Sequence, residues 1–87
     1  MQYMVVTTVG HAIKYRLFES YDEALMYHDK QVDNIYFDNE LRNVEIDTTR
    51  TYGGRIVGTR ITEWIEDDDE VTLKELGSVK IKEWEDE

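Results

Sequence analysis

Six carboxylates fall within the ten residues 61–70, "ITEWIEDDDE": Glu63, Glu66, Asp67, Asp68, Asp69 and Glu70, with no basic residue among them. A second group, Glu83, Glu85, Asp86 and Glu87, surrounds Trp84 at the end of the sequence. Such side chains can support three chemistries: proton transfer between paired carboxyls, coordination of a hard cation, or electrostatic docking of a basic surface. Proton transfer needs one carboxyl in an apolar pocket with a raised pKa, and the spacing here defines no such pocket. Calcium loops alternate their ligands and turn on a glycine, whereas "EDDDE" is contiguous and glycine-free, so no metal site is expected. Docking requires only that the charges be held together, and Trp64 and Trp84 each place an apolar anchor within an acidic group.

The other reactive side chains are sparse. There are two histidines, two serines and no cysteine, and no glycine-rich phosphate loop, nucleophile elbow or dinucleotide fingerprint. His28 lies at helical spacing from Leu25 and Val32, which reads as a structural histidine on an apolar face. His11 reads as a turn residue beside Gly10. A non-enzymatic protein without cofactor is expected.

Net charge is −10, and it is unevenly distributed. Residues 1–62 hold nine acids and seven bases, whereas residues 63–87 hold eleven acids against Lys74, Lys80 and Lys82. The anionic third repels phosphate, which disfavours nucleic acid and anionic membranes and favours a basic protein partner. No apolar stretch approaches the roughly 18 residues of a membrane span, and the N-terminal residues lack a signal-peptide pattern, so a cytoplasmic location is expected.

The elements that would position these groups follow from periodicity. Residues 3–8 ("YMVVTT") and 12–18 ("AIKYRLF") are rich in β-branched and aromatic residues around a glycine-containing turn, and predict a hairpin. "SYDE" (20–23) is a capping box: the Ser20 hydroxyl accepts from the Glu23 amide while the Glu23 carboxylate reaches back. Beyond it Tyr21, Ala24, Leu25, His28 and Val32 form one face of a helix. "NIYF" (34–37) predicts a short strand. "NVEIDTTRTY" and "RIVGTRITEWI" predict two long strands joined by a two-residue Gly53-Gly54 turn of the primed type, with Tyr52 and Arg55 stacked at the tip. The expected register sets Thr48 opposite Thr59, Asp47 opposite Arg60 and Ile46 opposite Ile61. One face, with Val44, Ile46, Thr48, Val57, Thr59 and Ile61, should pack under the helix. The other carries Ile56 and Trp64 among polar residues. Residues 71–76 fit either a strand or a helical turn, and a last strand follows Gly77. If the strands ending at Trp64 and Trp84 are adjacent, the two tryptophans share one edge of the sheet.

The 87 residues therefore predict a single α+β domain, a mostly antiparallel sheet with one helix on one face, in the order ββα and then three or four strands. Same-face side chains of a strand recur about every 6.6–6.8 Å, a spacing comparable with phosphates along one DNA strand. The expected function is binding and inhibition of a basic nucleic-acid-binding protein, such as a nuclease, by DNA mimicry. The expected contact residues are Glu63, Trp64, Glu66, Asp67, Asp68, Asp69, Glu70, Glu83, Trp84, Glu85 and Asp86. The alternative is a module that homo-oligomerises through the mixed face around Trp64 and Ile56, its acids serving only solubility. Adaptation to high salt is a third reading, against which the clustering of the acids speaks.

Overall fold

A computed structural model describes residues 1–40 and 42–85. Its elements are β1 (Gln2–Val9), β2 (Ala12–Phe18), α1 (Tyr21–Asp38), β3 (Val44–Arg50), β4 (Ile56–Asp67) and β5 (Glu70–Trp84). The strands form one antiparallel sheet in the order β2-β1-β5-β4-β3, with α1 packed across β1, β5 and β4. This is the expected α+β architecture, with three strands after the helix.

Alternation places Val5, Ile61, Val79 and Ile81 on the helix side of the three central strands, where they meet Ala24 and Ile35. The first turn of α1 is capped by half of the expected box: the Glu23 amide donates to Ser20 Oγ at 3.2 Å, while the return bond from the Ser20 amide to the Glu23 carboxylate is not formed among the described residues. His28 is 3% exposed. Its Nε2 lies 2.8 Å from Thr59 Oγ1, and its Nδ1 lies 2.9 Å from an Asp29 carboxylate oxygen. It is a core residue tying helix to sheet.

Five expectations are corrected. Residues 34–37 are not a strand but the last turn of α1. Ile35 follows Ala24 by three helical turns, so extending the helix buries it to 4% exposure against Gly77. Burying an isoleucine contributes about 2–3 kcal/mol, against a few tenths of a kcal/mol per residue for unfavourable helix propensity. Asn39 then closes the helix, its amide donating to Tyr36 O at 3.0 Å and its Nδ2 to Ile35 O at 2.8 Å.

The β3–β4 register matches the three expected pairs, but the turn does not. Thr51 and Arg55 close a three-residue loop, Gly54 alone of its two glycines has positive φ (87°), and the ladder shifts at Thr49/Arg50. A turn followed by a left-handed glycine accommodates the strand twist in three residues as the primed turn would in two. At that tip Arg55 does not stack on Tyr52, which is fully exposed. It lies 4.0 Å from the Tyr21 ring centroid and 5.8 Å from that of Tyr3, where the rings are fixed by packing. Of the face expected under the helix, Thr59 and Ile61 are buried, but Ile46 and Thr48 on edge strand β3 lie beyond the helix and are exposed.

The fifth correction concerns the tryptophans. Residues 70–84 form one strand, antiparallel to β4, and Trp64 pairs with Leu73 while Trp84 pairs with Gln2. Trp64 and Trp84 therefore stand toward opposite ends of the sheet.

Candidate functional site

The lengths of β4 and β5 decide the position of the acidic run. β3 accompanies β4 only as far as Glu63, and β1 accompanies β5 only from Gly77 onward. Trp64 pairs with Leu73 on β5 and its amide still donates to Asn43 O at 2.8 Å; beyond it the two strands have only each other, with Ile65 opposite Thr72, Glu66 opposite Val71 and Asp67 opposite Glu70. The result is a two-stranded arm, and the molecule measures 52 × 28 × 21 Å. The arm turns through Asp68 and Asp69, with Asp68 at φ 54°, a left-handed conformation that aspartate tolerates better than most residues.

"EDDDE" is thus the tip of a hairpin rather than the end of a strand. Glu66, Asp67, Asp68, Asp69 and Glu70 are all exposed, and none of them makes an ion pair among the described residues. Asp67 and Glu70 face each other across the ladder, where like charges are destabilising by up to about 1 kcal/mol. The cluster costs the isolated protein folding energy that a cationic partner would return.

The stem below the tip is apolar. Trp64 (43% exposed) and Leu73 (61%) lie on the face turned away from α1, in line with Glu66 and Val71. Ile65 lies on the other face and is also exposed. The Trp64 indole donates from Nε1 to Glu45 Oε2 at 3.0 Å, which fixes the ring against β3. Arg42, Asn43, Val44, Glu45, Trp64 and Glu66 line a shallow groove of about 540 Å³ where the arm leaves the sheet.

The structure divides the sequence-derived set. Trp64, Glu66, Asp67, Asp68, Asp69 and Glu70 are together on the arm. Glu63 is not part of that open surface: it is 8% exposed, and one Arg42 nitrogen donates to both of its carboxylate oxygens at 3.1 Å. Glu83, Trp84 and Glu85 are exposed at the far end of β5. Fifteen residues at about 3.3 Å each put Trp84 about 46 Å from Glu70. Asp86 lies outside the described residues. Sequence reasoning missed Val71 and Leu73, whose alternation in "VTLKEL" marks a strand, and missed the Asp-Asp pair as a turn.

Among the described residues no three His, Cys, Asp or Glu side chains are arranged to hold a metal ion, and no helix is long and apolar enough to cross a membrane. Comparison with protein-family models, with curated proteins and with solved structures gives no match for this chain.

Proposed function

We propose that this is a non-enzymatic cytoplasmic protein that inhibits or sequesters a basic, nucleic-acid-binding protein, with the β4–β5 arm as its contact element. The observation that carries the reading is the arm itself: five exposed carboxylates with no ion-pair partner among the described residues, on a hairpin above a stem of exposed apolar side chains. The tip supplies the field that steers a cationic cleft, and Trp64 and Val71 supply dry contact once the cleft closes over it. Glu66, Asp67 and Glu70 are held by the ladder and Asp68 and Asp69 by the turn, so the five form one anionic cluster that can take the place of phosphates in a groove built for nucleic acid. Inhibition is competitive occupancy, and nothing turns over.

Charge screening makes the complex salt-sensitive, since exposed charges interact weakly beyond about 8–10 Å at physiological ionic strength. The test is replacement of Asp67 by Asn, Asp68 by Ser and Asp69 by Asn, followed by affinity capture from the native cell at low salt. The partner retained by the wild-type protein should be lost by the triple variant. Equal retention removes the arm from the mechanism.

A further inference from the structure

The sheet face opposite α1 has no covering element among the described residues. On β2 it presents Ile13, Tyr15 and Leu17, all exposed, in register with Thr8, Val6 and Met4 of β1. Those β1 residues pair in turn with Ser78, Lys80 and Lys82 of β5. Further along β5 the same face carries Glu75 and Leu73. Read along this one strand, the face is cationic toward Trp84 and anionic toward the arm, with Ser78 near the midpoint.

We infer that the protein forms a two-fold homodimer by stacking this face on its own copy. The two-fold axis lies between the sheets, at right angles to the strands, at the level of Val79, because the bulge at Leu76 brings Glu75 one ladder position closer. Rotation about it reverses β5 over its counterpart, which brings Lys82 of one protomer to Glu75 of its partner and Trp84 to Leu73. Ile13 and Tyr15 lie at nearly the level of the axis and meet the same edge of the second copy. A two-fold axis parallel to the strands would instead set Lys80 and Lys82 on themselves. The antiparallel stack is the self-complementary one, as a closed two-fold contact requires.

The area is that of a small interface. Five strands about 4.8 Å apart and seven residues of about 3.3 Å give a face of about 24 × 23 Å, or about 550 Å² per partner before the stem of the arm is added, below the roughly 800 Å² of a standard interface but just above the roughly 1,000 Å² in total that a specific contact needs. Each acidic tip overhangs the far end of its partner and stays open, so the dimer presents two tips pointing in opposite directions. This inference does not rest on the proposed function: it needs none of the tip carboxylates, and of the stem it takes Leu73, leaving the tip and Val71 open.

Three measurements test it. Light scattering at increasing concentration should give twice the 10.4 kDa chain mass. Lys82→Glu should weaken dimerisation at least tenfold, and Lys82→Glu combined with Glu75→Lys should restore it. The chain has no cysteine, so Ser78→Cys can be treated with a short bismaleimide matched to the sheet spacing of about 10 Å. It should give a covalent dimer, while Lys30→Cys on α1 should not. A species that stays at monomer mass at every concentration overturns the proposal. A dimer indifferent to Lys82→Glu and not linked through position 78 overturns it equally, by placing the contact elsewhere.

Discussion

Gly77 is where the arm, the sheet and the helix meet, and Gly77→Ala tests whether they meet as closely as described. A Cβ at this position would lie 2.9 Å from the Thr8 carbonyl oxygen, 3.1 Å from Ile35 Cδ1 and 3.4 Å from Ile35 Cγ2. The carbonyl belongs to the central β1–β5 ladder and cannot turn aside as a side chain can. Overpacking of this kind costs typically about 1–3 kcal/mol, partly offset by about 0.4–1 kcal/mol from the reduced freedom of the unfolded chain. A net loss of about 1–2 kcal/mol should lower the melting temperature by about 4–15 °C in a domain of this size. Thermal and urea unfolding followed by circular dichroism measure it. Ile35→Val separates the two clashes, since it removes Cδ1 but leaves the carbonyl in place. If the carbonyl dominates, the double variant should recover less than half of the Gly77→Ala loss. A Gly77→Ala protein as stable as the wild type would refute the close approach, and with it the packing of α1 over the base of the arm.

Three further substitutions probe the supports of the site. Arg42→Ala strands the 8% exposed Glu63 carboxylate, and the loss should be about 1–2 kcal/mol by urea unfolding, between surface and buried pairs, because Lys74 faces Glu63 across the ladder and takes up part of the role. Thr59→Val removes the hydroxyl 2.8 Å from buried His28 Nε2 and should cost about 1–3 kcal/mol, whereas Thr48→Val, 3.4 Å from Thr59 on the exposed edge, should cost under about 0.5 kcal/mol. Asp68→Gly relieves a left-handed aspartate and one of five clustered charges, so it should stabilise the protein by about 0.5 kcal/mol; a decrease would contradict the turn geometry.

The elements carried by strong periodicity were legible. The cap at Ser20, the helix face through Val32 and the Thr48–Thr59 register follow from residue types at fixed spacing. What escaped depended on partners distant in the chain. The last helical turn looked like a strand because "NIYF" favours one locally, and only Gly77, more than forty residues later, provides the space that holds Ile35 in the helix. The Arg55 stack needed knowledge that Tyr3 and Tyr21 converge. Adjacency of the strands that carry them suggests one edge for both tryptophans, whereas antiparallel pairing of consecutive strands sends their far ends to opposite ends of the sheet. Glu63 resembles its acidic neighbours in sequence, and only its burial beside Arg42 and opposite Lys74 distinguishes it. The arm was half visible: its charge was plain, but its projection follows from β3 and β1 stopping short, which no property of residues 64–73 reveals.

The central claim is that the acidic arm occupies a groove made for nucleic acid, and competition measures it most directly. The partner captured by the immobilised protein at about 50 mM salt should be displaced by duplex DNA, and its affinity should fall at least tenfold by about 200 mM salt. Both effects should vanish with the Asp67, Asp68 and Asp69 substitutions, which leave nothing bound to displace. A partner that stays bound in the presence of excess DNA and tolerates the higher salt would contradict the account.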